Sequence, residues 1–332
     1  MTLIIIVIVT ALVFEYINGF HDAANAIATV ISTKVLTPRQ AVIFGASLEF
    51  VGALAGAILG THVAKTIGAG IVSGDAITQS VIICALVGAI IWNLITWYFG
   101  IPSSSSHALI GGLIGAALMH THSVSHIHFM SFLDKVLIPM ILSPAVGLTF
   151  GFIFMIVLLH LFYKSHPDHI NQVFRKSQLV SSGFMAVSHG MNDAQKTMGI
   201  ITMSLVASGF LPKFEVPFWV ILICAFTMAM GVLTGGMKII KTIGNKVMKM
   251  KPIHGFAAQT ASAIVILTAS SWGMPLSTTQ VMTTSVMGVG STKKTQGVKW
   301  GVVSNIVMAW VITIPFCIVL SALIYYTQHK FL

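Results

Sequence analysis

Charge is what this sequence has least of. Eight acidic residues and two arginines, Arg39 and Arg175, serve 332 positions, and only 8% of the residues are charged. Soluble domains carry about 25%, so an ordinary water-soluble globule is excluded. Cysteine is scarce as well. Cys84, Cys224 and Cys317 stand singly in separate apolar stretches, which excludes a disulfide or cysteine-metal framework and leaves them as small packing residues. No phosphate-binding P-loop occurs, so the chain itself is not an ATP-driven pump. Strand-like alternation of polar and apolar residues is also missing, which argues against a β-barrel.

What the sequence has is apolar surface: 56% of its residues are hydrophobic. Runs of helix-spanning length recur, at Ala41–Gly60, Ala76–Phe99, Val136–Phe162, Val216–Gly236 and Val302–Tyr326. Each is long enough to cross about 30 Å of hydrocarbon as a helix. The expected fold is therefore all-α, a polytopic helical membrane protein. The first apolar stretch, Leu3–Val13, lacks a basic leader and runs straight into a polar motif, so it is expected to be retained.

The net charge of +10 does not call for nucleic acid. The lysines fall in short connections, where basic residues set helix orientation with the positive side inward. Lys238–Lys251 carries five lysines and no acid, Lys293–Lys299 carries three, and Lys164–Lys176 carries three basic residues against one acid. All three connections are expected on the cytoplasmic side.

Against this background a repeated acidic motif stands out. Asn18-Gly19-Phe20-His21-Asp22-Ala23-Ala24-Asn25 recurs, 171 residues later, as His189-Gly190-Met191-Asn192-Asp193-Ala194-Gln195-Lys196. Two further matches follow in the same order. Lys65-Thr66-Ile67-Gly68 returns as Lys241-Thr242-Ile243-Gly244, and Gly100-Ile101-Pro102-Ser103-Ser104-Ser105-Ser106 returns as Gly273-Met274-Pro275-Leu276-Ser277-Thr278-Thr279. An ordered set of matches is the mark of a duplication. Counting crossings back from the basic loops gives the Asp22 and Asp193 helices opposite directions, hence two inverted-topology repeats with broken helices or re-entrant hairpins. The expected division is a first repeat at 1–118, a connection at 119–176 holding a transmembrane helix at 136–162, a second repeat at 177–290, and a C-terminal loop and helix at 291–332.

Intramembrane acids are costly and functional by default. Asp22 and Asp193, with Asn25 and Asn192, offer hard oxygen ligands for sodium, or carboxyls that take a proton. Glu49, inside an apolar run, is a third cation-coupling candidate, while Glu15 is expected to brace its neighbouring motif. Glycine beside the motif polar groups is expected to let those helices unwind locally and present carbonyl oxygens. The proline-led runs carry the anion argument. Proline and a serine or threonine cap start a helix whose free N–H groups and positive end attract an oxyanion. Ser104, Ser105 and Ser106 in one half and Ser277, Thr278 and Thr279 in the other are therefore the substrate-binding candidates. Lys196, one helical turn after Asp193, is expected either to attract the anion or to pair with that acid. His120, His122, His126 and His128 could bind a metal, but with no second acid or cysteine cluster beside them they are expected to form a solvated loop on the outer side. An intramembrane hydrolase would need a positioned base, and His107 beside Ser106 is the one weak pair.

These residues resemble the inorganic phosphate transporter family, whose two signatures run roughly Gly-x-Asn-Asp-x-Ala-Asn. The likeness spans nearly the whole chain: Gly19–Asn25 for the first signature, with His21 in place of asparagine, Gly190–Lys196 for the second, and the two Ser/Thr tips. The resemblance implies import of inorganic phosphate by symport with sodium or protons, a homodimer in the cell membrane, no cofactor and no enzymatic activity. Phosphate and sodium or protons are then the transported ions, with sodium held at the cation-coupling residues. Glu49 resembles the sodium-coupled branch and the Phe-His-Asp spelling the proton-coupled one. Gln259 and Gln280 stand where many relatives carry glutamate and histidine. Sulfate transport on the same fold remains the alternative.

Overall fold

The computed structural model describes residues 2–292 and 297–331, so most of the lysine-bearing Lys293–Lys299 connection lies outside the described residues. The first half runs through α1 (Thr2–Ser32), α2 (Pro38–Leu59), α3 (His62–Ala69), α4 (Gln79–Phe99), α5 (Ser105–Thr121), α6 (Phe129–Phe132) and α7 (Ile138–Leu161). The second runs through α8 (Pro167–Ala207), α9 (Phe218–Thr234), α10 (Met237–Lys241), α11 (Pro252–Ser271), α12 (Thr278–Ser291) and α13 (Trp300–Phe331). Six of the described helical spans are long and apolar enough to cross a membrane, or seven if the bent pair Phe218–Thr234 and Met237–Lys246 is one span. The chain is a multi-pass membrane protein.

Local chemistry sets the helix ends. Thr37 opens α2 in a reciprocal capping box with Gln40, followed by Pro38. The hairpins break where the sequence repeats. α4 ends at Gly100 (φ 65°), and α11 is followed by Gly273 (φ 69°), a left-handed conformation that glycine adopts without steric cost. The chain then restarts at the capping serines Ser104 and Ser277, which accept from the His107 and Gln280 N–H groups, each at 3.2 Å. The prolines thus lie two residues ahead of the caps rather than inside the first turn. α12, at 14 residues, is about 21 Å long, too short to span; with α11 it forms a hairpin.

The halves interlock. α1 packs on α9 while α8 packs on α2; α5 packs on α13 while α12 packs on α7. Thr66 donates to Gly273 O at 2.8 Å, and its counterpart Thr242 donates to Gly100 O at 2.7 Å. The internal prolines of α7 and α13, Pro144 and Pro315, are again 171 residues apart. α1 and α8 run antiparallel: Thr33 bonds Gln178, Ser182 bonds Ala26 O, and Thr197 bonds Glu15, so position rises along one helix as it falls along the other.

One expectation needs correction. Neither motif helix unwinds: α1 and α8 run unbroken through 18–25 and 189–196. Their glycines serve close approach instead. A Cβ on Gly19 would sit 2.4 Å from Met228 O, and one on Gly190 would sit 2.1 Å from Glu49 O. Helix association in lipid rests on such small-residue contacts, because no hydrophobic force drives apolar helices together there.

The histidine-rich segment at 120–128 is held by polar contacts to other parts of the chain. His126 lies 3.1 Å from Asp75, and the His120 ring nitrogen lies 2.6 Å from the Tyr325 hydroxyl.

Gly190→Ala is expected to destabilise the folded protein by about 1–3 kcal/mol, the usual cost of overpacking. Gly74→Ala, where an added Cβ meets nothing within 4 Å, is expected to be near neutral. Thermal unfolding of the two purified variants in detergent checks the contrast; equal melting temperatures would show that the α8–α2 contact relaxes freely.

Candidate functional site

The packing of α1, α2 and α8 brings half of the chain's acids into one buried region. Glu15, Asp22, Glu49 and Asp193 are all at most 2% exposed, as are His21, His189, Asn25, Asn192 and Lys196. Four carboxyl groups withdrawn from water are tolerable only with counter-charges and hydrogen bonds. Those partners come from three directions.

The first group surrounds Asp22. Ser105, on the first residue of α5, donates to Asp22 Oδ2 at 3.2 Å, and Thr279 of α12 donates to Asp22 Oδ1 at 3.1 Å. The Asn25 amide donates to Thr278 and Thr279 at 3.3 and 2.9 Å. Both hairpin tips therefore converge on one carboxylate, and each belongs to a different half. His21 places Nδ1 2.6 Å from Asp22 and Nε2 3.0 Å from Thr96, with Ser103 behind at 3.4 Å.

The second group surrounds Asp193. Lys196 Nζ lies 2.7 Å from Asp193 Oδ2. His189 stands between two acids, with Nε2 3.4 Å from Asp193 and Nδ1 3.1 Å from Glu49. Those imidazole contacts are within ion-pair range, yet both ring nitrogens and both Glu49 oxygens lack an aligned hydrogen bond. Glu15 accepts from Thr197.

The third element joins them. The Leu276 carbonyl accepts from Ser106 at 3.1 Å and from the Asn192 amide at 3.4 Å, and Asn192 also donates to Asp193 at 2.9 Å. Asp22, His189 and Asp193 come close enough for one ligand atom from each to lie within 4.8 Å of the others. That set of oxygen and nitrogen donors suits a cation. Two capped helix N-termini aim at the same region, which suits an anion.

The expected residues are thus mostly gathered, but not all in the expected way. Ser105, Thr278 and Thr279 face Asp22 and Asn25. Ser104 and Ser277 spend their hydroxyls on the caps of α5 and α12. Lys196 bonds Asp193 rather than a tip. Glu49 meets the motif through His189. Neither His21 nor His189 was among the sequence candidates, although both lie in the repeated motif and the 189–193 spacing places His189 one turn before the acid. Gln259, on the α11 arm of the second hairpin, donates to Ala26 O at 2.8 Å and accepts from Ser181. Ser106 bonds a carbonyl, not His107, so the one nucleophile–base pairing suggested by the sequence is not formed.

Comparison with known proteins gives a consistent picture. A model of the phosphate transporter family matches residues 18–321. A probable low-affinity inorganic phosphate transporter of Rhizobium meliloti is 44% identical over 98% of this chain and 96% of its own length, and one of Bacillus subtilis is 43% identical over 98% and 96%. A solved structure titled "The sodium-dependent phosphate transporter" superposes with a TM-score of 0.91 at 26% identity, covering all of both chains.

Breaking a buried pair by removing one partner typically costs about 3–5 kcal/mol. Asp193→Asn, which strands the Lys196 ammonium, is expected to lower stability by that order. Lys196→Met added to it should recover most of the loss. Chemical or thermal unfolding of both single variants and the double variant checks this; a cycle with no coupling would mean the two groups are independently solvated.

Proposed function

The chain belongs to the phosphate transporter family, whose members matched here are transporters and not enzymes, and from that premise we propose that it imports inorganic phosphate across the cell membrane by symport with a cation, sodium or proton. The observation that carries this reading is the meeting of both hairpin tips on Asp22. Ser105 and Thr279 reach its two oxygens from opposite halves, so an oxyanion lodged at the tips sits beside a carboxylate. Phosphate keeps a proton near neutral pH and can donate to that acceptor. Sulfate has no proton to donate and would meet the carboxylate as a like charge. The tips supply hydroxyl and backbone donors for the remaining oxygens.

The cation side of the reading rests on charge. A carboxylate cluster beside a bound anion is repulsive unless a cation joins it, and Asp22, His189 and Asp193 offer donor atoms within 4.8 Å of one another. Asn25, Asn192 and Glu49 complete the proposed coupling group, with Ser105, Ser106, Thr278 and Thr279 as substrate ligands and Ser104 and Ser277 as the caps that shape the tips. Mutual dependence of substrate and ion is then a linkage: each binds better once the other has neutralised its neighbour.

The antiparallel α1 and α8, and the exchange of packing partners between halves, support reading the chain as two inverted repeats, 1–118 and 177–290, each followed by a further helix. Such repeats rock or slide about a fixed central site. The tip residues are at most 2% exposed, as expected of an occluded step in that cycle. We take the working unit to be a homodimer.

Radiolabelled phosphate uptake into proteoliposomes, with imposed sodium or proton gradients and excess unlabelled sulfate, tests the whole reading. Uptake driven by one gradient and indifferent to sulfate is the expected outcome. Asp22→Asn is expected to abolish it while the protein remains folded and inserted. Accumulation of sulfate in place of phosphate, or normal transport by Asp22→Asn, would overturn the assignment.

A further inference from the structure

The two halves differ where they carry charge. Matching positions 171 residues apart hold Asn25 after Asp22 and Lys196 after Asp193. Asn25 is neutral, and its amide is spent on the opposite tip. Lys196 is a compact point charge held 2.7 Å from Asp193. It is 1% exposed and among the largest side chains that the fold buries completely. Every other described lysine keeps part of its side chain at the surface. A flexible basic side chain is expensive to bury, so its place beside the acid needs a reason.

The surroundings supply one. Asp193 and Glu15 both lie in the field of the Lys196 ammonium. Asp22, by contrast, has hydroxyls and the His21 imidazole as its partners, and no permanently charged lysine or arginine among them. One half of the site carries a permanent counter-cation on the chain; the other does not.

We propose that Lys196 is a resident cation, standing in the second half at the place the first half leaves to an exchangeable coupling ion. This rests on the cation-symport reading. The consequence is stoichiometric: the carrier moves one exchangeable cation fewer per phosphate than a chain with asparagine at both positions would. Lys196 is then a residue that sets ion coupling and not a phosphate ligand.

Lys196→Asn copies the first half into the second and leaves Asp193 in need of a free cation. Equilibrium binding of radioactive sodium to the purified protein, with phosphate present, is the direct measurement. The variant is expected to bind about one more sodium ion per chain than wild type, and the sodium order of phosphate uptake is expected to rise by about one. Lys196→Arg, which keeps the charge, is expected to match wild type in both. Unchanged sodium binding and order in a folded Lys196→Asn protein would overturn the proposal. So would a rise in phosphate KM at every sodium concentration with the sodium count unchanged, which would make Lys196 an anion ligand. Lys196→Gln, run in parallel, should show the same gain if the asparagine variant does not purify folded. Failure of both amides to fold even at high sodium would also refute the idea, since a free cation then cannot replace the ammonium. Absence of phosphate uptake by wild type would sink the transport reading separately, leaving the sodium count to report on Lys196.

Discussion

A carboxylate inside an apolar helix bundle has to be answered by charge or by hydrogen bonds, and here four such groups are buried together. That requirement organises the structure around it. Apolar helices have no hydrophobic reason to associate in lipid, so glycines at 19, 52, 190 and 231 let backbones close to contact distance. The close approach brings α1, α2, α8 and α9 near enough for short polar side chains to reach one another. The hairpins then bring capped helix starts, with their donors, to the same place.

Neither half alone answers all of its acids. Asp22 takes one hydroxyl from the first half and one from the second. Glu15 in the first half is held by Thr197 in the second, and Glu49 in the first meets His189 in the second. The threonines that fasten each hairpin turn also reach across. A site assembled in this manner is sensitive to any relative motion of the halves. Sliding or rocking one against the other changes the partners of Asp22, Glu15 and Glu49 together, which is the physical coupling between cargo, ion and conformation that the proposed symport calls for. The asymmetry at Asn25 and Lys196 is superimposed on this shared frame: the motif recurs in sequence, the charge does not.

Much of this was legible without coordinates. The membrane class follows from hydropathy, because about 20 apolar residues match a fixed bilayer thickness. The three ordered matches behind the proposed duplication are read from the sequence, and the capped hairpin tips follow from proline, glycine and serine chemistry that acts over a few residues. Asp22, Asn25, Asp193, Ser105 and Thr279 are conspicuous because polar residues in apolar helices are costly. Less legible were His21 and His189, masked by their place inside a motif whose acids drew the attention, and the role of the motif glycines, where unwinding and close packing make the same demand for a missing side chain.

Local and compositional rules therefore determined the helical membrane class, the ordered sequence matches, the break points and the candidate acids, since each of these depends on residues near one another in sequence or on transfer from water to lipid. The tertiary structure alone decided who meets whom: that both tips converge on Asp22, and that Glu49 speaks to the motif through His189. Those pairings join residues from 83 to 257 positions apart. They depend on how interlocked helices pack, and no short-range pattern in the chain encodes that.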